Sequence, residues 1–138
     1  MTSLAIVDSG PLIAAADAND LDHRQCVAAF QDTGLRFVVP ALCVAEAVHF
    51  MAKRLGAEIE ASFLADLKHW DVRAPEPDDW IRIAELVRQY ADFPLGGTDA
   101  SVVALAERLG TDLVVTLDFR HFRAVRPRHC EALRLLPE

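Results

Sequence analysis

Short, fully apolar runs alternate with longer stretches of helical period along this chain. Residues 4–7 form an apolar run that ends in Asp8 and read as a buried strand. Residues 10–16 follow as a first helical turn or two, and residues 20–33 as a helix with Gly34 just past its end. Residues 36–39 are a second short strand closed by Pro40. Residues 41–55 form a long helix stopped by Gly56, and residues 57–69 another, with Ile59, Phe63, Leu64 and Leu67 at apolar positions. Residues 70–73 suit a third strand. Residues 75–79, Pro-Glu-Pro-Asp-Asp, are turn chemistry whose acids favour a helix N-terminus, and the helix predicted over residues 79–90 carries Trp80, Ile83, Ala84 and Val87 on one stripe. After the loop at 94–98, Thr98 is the expected N-cap of a helix over 99–109 that ends at Gly110. Residues 112–117 form a strand with a β-branched centre, and residues 133–136 suit a fifth. Strands alternating with helices predict an α/β fold: a mostly parallel sheet covered on both faces, with its site at the carboxyl ends of the strands where strand order reverses.

Composition narrows the class. The 138 residues fit one domain, residues 1–138, and at 52% hydrophobic they exclude disorder. No apolar window reaches the ~20 residues of a membrane span, and the N-terminus lacks the basic and apolar regions of a signal peptide. The three cysteines, Cys26, Cys43 and Cys130, have no CxxC spacing and are expected as free thiols in a reducing cytoplasm. The net charge of −7 argues at first against a polyanionic partner. Its distribution softens the objection. Residues 119–138 hold five arginines against two glutamates, net +3, and leave −10 on the rest. An acidic site with a basic rim suits a metal-bridged polyanion, and a solvated basic tail fits the charge equally well.

Four acids stand out on this scaffold. Asp8 ends the first strand, Asp118 follows the fourth, and Asp99 opens a helix. Glu46 lies within a helix among Leu42, Val44, Ala45, Ala47, Val48 and Phe50, where a carboxylate must be paired, protonated, metal-bound or facing an opening. Taken singly, each acid has a structural explanation as a turn residue, a helix-start acid or a solvated side chain. Taken together, they suit a cleft whose mutual repulsion Mg²⁺ relieves, since Mg²⁺ takes oxygen ligands and keeps several waters.

The segments IVDSGPLIAAAD, PALCVAEAVHF, PLGGTDASVVALAERLG and VVTLDFRHF resemble, in order and spacing, the four acidic motifs of PIN-domain ribonucleases, and among these the VapC toxins of bacterial toxin–antitoxin pairs. The resemblance covers nearly the whole chain. It implies a PIN-like three-layer α/β/α sandwich and a Mg²⁺ site, with Mn²⁺ able to substitute, for endonucleolytic cleavage of RNA. It also implies Asp8, Glu46, Asp99 and Asp118 as the metal-binding and catalytic acids, Asp8 and Asp99 foremost, together with a VapB-like antitoxin and a homodimer. Ser9, where Thr-Ser or Ser-Ser more often follows the first aspartate, still supplies a hydroxyl. Thr98 and Thr116 are supporting polar groups, Thr116 positioning a carboxylate or a water. Arg120, His121 and Arg123 suit RNA phosphates at the rim, with a polar loop as the alternative.

Other features weigh less. The Glu46/His49 spacing of di-iron bundles occurs once where two copies are needed, and His23 with Cys26 lacks further zinc ligands. Trp70 and Trp80 are expected to pack, an exposed one being able to stack on a base. The helices at 41–55 and 57–69 can frame an apolar groove for a partner. Two other functions share the fold or class. A haloacid-dehalogenase-type phosphatase needs a second acid two residues after the first, and Gly10 stands there. A non-catalytic PIN-like module that binds RNA or protein usually loses acids, and this chain keeps four.

Overall fold

A computed structural model describes residues 2–138. Five parallel strands form one sheet in the order β3-β2-β1-β4-β5: β1 (Ser3–Val7), β2 (Leu35–Pro40), β3 (Asp71–Arg73), β4 (Leu113–Val115) and β5 (Arg134–Leu136). Seven helices cover it on both sides: α1 (Ser9–Ala16), α2 (His23–Phe30), α3 (Ala41–Arg54), α4 (Ala57–Asp66), α5 (Pro77–Gln89), α6 (Gly97–Leu109) and α7 (Phe119–Ala124). This is the α/β/α sandwich expected from the alternation of runs. Ile6, Val7, Val38, Val39, Val114 and Val115 are fully buried, as continuous apolar runs must be in a sheet with both faces covered. No helix among the described residues is long and apolar enough to cross a membrane.

Several elements depart from expectation. The helix expected over 20–33 is confined to α2, because residues 17–22 fold into carboxylate-bonded turns: the Asn19 amide donates to Asp17, and the Asp22 amide to Asp20. The last residues expected in the helix over 57–69 tighten into a 3₁₀ turn, Leu67–His69. Helix α5 starts at Pro77, two residues early, because a proline at the first helical position forfeits no hydrogen bond, and the Asp79 carboxylate accepts from the Glu76 amide at 3.0 Å. Asp79 then faces inward to Arg108 at 2.8 Å, and Trp80 is left 51% exposed rather than on the packed stripe. Trp70 does pack, edge-on to Phe30 at 5.2 Å.

Helix α7 had no counterpart in the sequence reading. Asp118 caps it, accepting from the His121 amide at 3.1 Å, and Phe122 anchors it in the core. The basic tail is also less free than its composition implied. Arg128 pairs with Glu85 and Arg134 with Asp112, each close to 2.7–2.8 Å. Among the described residues, Arg120 and Arg123 have no carboxylate partner.

The sheet order reverses between β1 and β4. Loops leaving these neighbouring strands part in opposite directions there and open a crevice at their carboxyl ends. Asp8 and Asp118 lie at that crevice.

Candidate active site

Asp8 is built into the end of β1. Its amide donates to the Val115 carbonyl at 2.9 Å, so backbone pairing with β4 holds it after the strand ends. Its side chain is only 4% exposed. One carboxylate oxygen accepts from the Ser9 amide at 2.8 Å, which caps α1, and the other accepts from the Thr116 hydroxyl at 2.8 Å. Thr116 is fully buried, and its hydroxyl in turn accepts from the Asp118 amide at 2.9 Å. Thr116 therefore ties the acid at the end of β1 to the acid that follows β4.

Glu46 resolves the puzzle of an acid in an apolar helix by facing an opening. It is exposed on α3, while Cys43, Ala47 and Met51 carry the buried face. The Ser9 hydroxyl donates to its carboxylate, which links α3 to the start of α1.

Asp99 stands third in α6, not first. Gly96 occupies the cap position, and Thr98 lies inside the helix, its carbonyl accepting from the Ser101 hydroxyl at 2.6 Å. The helix begins at Gly97, so the expected cap by Thr98 is not made. The third position still favours an acid, since the helix N-terminus carries partial positive charge.

Asp118 is held by His121, whose backbone amide and ring Nδ1 both reach its carboxylate, the ring at 2.8 Å and 3.0 Å. His121 thus orients an acid, a role beyond the two expected for it, a phosphate contact or a polar loop. Arg120 and Arg123 lie over the rings of Phe93 and Phe119 at 5.0 Å and 5.3 Å.

The electrostatics record the crowding. Burial pushes the Asp99 carboxyl up to about 7, with the charges of Asp8, Asp118 and Glu46 adding to the rise and His121 opposing it. Burial likewise raises Asp8; the bonds from Thr116 and Ser9 work against that, and Glu46 and Asp118 reinforce it. Asp99 therefore senses Asp8, Asp118 and Glu46, and Asp8 senses Glu46 and Asp118, across segments up to 110 positions apart in the chain. Among the described residues, no three His, Cys, Asp or Glu side chains close into a ready metal cage. Like charges without a counter-ion hold apart, and a water-rich ion such as Mg²⁺ requires only one or two direct carboxylates. The donor set, all hard carboxylate and hydroxyl oxygens, fits that ion.

One neighbour escaped the sequence reading. Cys43, fully buried on α3, points its thiol at Asp8 at 3.9 Å. Burial holds it well above its ordinary range, with Asp8, Glu46 and Asp99 adding to the effect, so it stays a neutral thiol. Its place three residues before Glu46, on the same side of the helix, was the available signal.

Comparisons with known proteins bear on the family and the fold. The PIN domain family matches residues 5–126. The chain is 33% identical to Ribonuclease VapC26 of Mycobacterium tuberculosis over 124 residues, 88% of this chain and 92% of that protein. Among solved structures, it superposes on the Mycobacterium tuberculosis toxin VapC20, described as cleaving the sarcin-ricin loop, with a TM-score of 0.74 at 16% identity, covering 81% of this chain and 87% of that one. It superposes on VapBC2 from Rickettsia felis, solved bound to a promoter DNA fragment, with a TM-score of 0.70 at 14% identity, covering 98% of this chain and all of that one.

Proposed function

This chain belongs to the PIN domain family, among its VapC-type ribonucleases, and from that premise we propose that its four-carboxylate crevice binds a divalent cation and cleaves RNA endonucleolytically, as the toxin of a toxin–antitoxin pair. The observation that carries the cation is the gathering of Asp8, Glu46, Asp99 and Asp118 at one end of the sheet, where burial, reinforced by the charges of the other three acids and opposed by His121, raises the Asp99 carboxyl to about 7. A cation restores the charged form of such a group.

The residues divide the work. Asp8 and Asp99 supply the two inward carboxylates, and Thr116 and Ser9 fix Asp8 so that little reorganisation accompanies ion binding. Glu46, oriented by the Ser9 hydroxyl, and Asp118, oriented by His121, flank them from α3 and α7. Mg²⁺, or Mn²⁺ in its place, supplies polarisation of the scissile phosphate and acidification of a water when bound. Arg120, which has no carboxylate partner among the described residues, is suited to an adjacent phosphate.

An antitoxin partner fits a second surface. A groove of about 310 Å³ opens between α1, the end of α2 and α4, lined by Leu12, Ala16, Phe30, Ile59 and Phe63, with Glu58 and Asp66 among its walls. It lies against α1 instead of between the two helices expected to frame it. We assign it to the apolar face of an antitoxin helix with basic flanks. Toxin–antitoxin complexes with this fold are known from Klebsiella pneumoniae and Salmonella typhimurium.

The test is direct. Purified protein freed of any partner is expected to cut single-stranded or structured RNA with Mg²⁺ or Mn²⁺ and to stop on addition of EDTA. Equal cleavage in EDTA would overturn the metal, and no cleavage with either ion would overturn the nuclease.

A further inference from the structure

Between α5 and α6 the chain makes a short, well-anchored loop. Leu95 is buried to 2% exposure, and the amides of Phe93 and Leu95 both donate to the Tyr90 carbonyl, at 3.0 Å and 3.4 Å. The Tyr90 hydroxyl accepts from the Arg126 amide at 2.9 Å, which ties the loop to the chain beyond α7. The loop leads directly into Gly96, Gly97 and Asp99.

This anchoring presents Phe93 to α7. The Phe93 ring lies 4.7 Å from the ring of His121, the side chain that holds Asp118, and the Arg120 guanidinium sits 5.0 Å above it. Arg120 is exposed and makes no ion pair among the described residues, so its N–H groups remain available for a phosphate. An exposed, unpaired arginine ordinarily samples many rotamers. Here an aromatic ring restricts it, and the pair stands against His121, the side chain that holds Asp118. Flat apolar faces next to an oriented cation are the elements by which proteins take single-stranded nucleic acid: bases stack on the faces, and the backbone meets the charge.

We propose that Phe93 and Arg120 form a nucleotide subsite at the rim of the crevice, in which Arg120 takes a phosphate and an unpaired base stacks against the arginine–phenylalanine pair, so that Phe93 positions single-stranded RNA for cleavage. This subsite rests on the ribonuclease reading above. It assigns a binding role to Phe93, which lies outside the acidic motifs.

The test separates binding from cleavage. Binding of a dye-labelled single-stranded RNA oligonucleotide is followed by fluorescence anisotropy with Mg²⁺ on full-length protein carrying Asp99→Asn, and cleavage of the same RNA is followed on otherwise unaltered protein. In the first, adding Phe93→Ala or Phe93→Leu is expected to weaken binding about 5- to 150-fold, the range of one lost base stack. Phe93→Trp restores it. Arg120→Gln is expected to flatten the salt dependence of binding by about 0.7 in log–log slope, the share of one phosphate on a single strand. In the second, Phe93→Leu raises KM far more than it lowers kcat. Leucine keeps most of the apolar bulk and lacks the flat face, so a Phe93 that only packs would tolerate it. Unchanged binding and KM in Phe93→Leu, in a chain that cleaves RNA, would overturn the subsite and leave the nuclease standing. Phe93-dependent binding by a chain that never cleaves would do the reverse. Loss of affinity only for a protein partner would also overturn the subsite.

Discussion

Replacing Asp8 or Asp99 by asparagine is expected to lower the rate of RNA cleavage at least about 100-fold while leaving the fold intact. The substitution is nearly isosteric. At position 8 the amide oxygen still accepts from the Ser9 amide, so the cap of α1 survives, and only the hydrogen bond with the Thr116 hydroxyl must be rearranged. What disappears is one of the two inward negative charges proposed to attract the cation. Glu46→Gln is expected to cost less, because Glu46 is exposed and keeps its bond from Ser9. Single-turnover cleavage of end-labelled RNA, with far-ultraviolet circular dichroism as the control of folding, measures the effect. Cutting by both aspartate variants at the unaltered rate would reject the assigned site.

Phe122→Ala is expected to cost about 3–5 kcal/mol of stability, the usual range for removing a large aromatic side chain from a core. In a domain of this size that corresponds to a fall of roughly 10–20 °C in melting temperature. Helix α7 has six residues, too few to be stable by itself, and Phe122 is the one that it buries. Phe122 and Val125, which follows the helix, are both fully buried and fasten it to the core. Undocking α7 releases His121 from Phe93, frees Asp118 and scatters Arg120, so cleavage falls with stability. Trp80→Ala, on the exposed side of α5, is expected to cost under about 1 kcal/mol in the same melting experiment. A comparable loss at the two positions would mean that α7 is not docked as described.

The contrast between these two sites also explains what was legible in the sequence. The core strands announced themselves because a parallel strand is apolar along its buried stretch, as residues 4–7, 37–39 and 113–115 are, while Arg36 sits at the exposed start of β2. The acids followed from the strands: Asp8 breaks an apolar run where a strand has to stop, and Asp99 follows the glycines at a helix start. Helix α7 was hidden by its length, since six residues with one buried position carry no period. The fates of the arginines were hidden for another reason. Arg128 finds Glu85 and Arg134 finds Asp112 across 43 and 22 positions, and nothing local distinguishes them from Arg120, which finds no acid. Phe93 and Cys43 were passed over because a lone aromatic in a loop and a lone cysteine in a helix usually pack. Their relation to the site exists only once β1, α3, α6 and α7 have met.

The central physical claim is that folding forces carboxylates together closely enough to favour a proton or a divalent cation among them. Asp99 carries its folded-state value near 7, well above its ordinary 3.8. The folded chain then holds a proton over the interval from about 4 to 7 that the unfolded chain has released, so this group makes stability fall as pH rises through that interval. On the proposed reading, Mg²⁺ binds the folded state alone and opposes the fall by mass action. The decisive measurement is the melting temperature from pH 5 to pH 8, in EDTA and in Mg²⁺, for the unaltered chain and for Asp99→Asn. The expected result is a decline toward pH 8 in EDTA that Mg²⁺ reverses and that Asp99→Asn largely removes. Superimposable curves for the two proteins, with no response to Mg²⁺, would contradict the account.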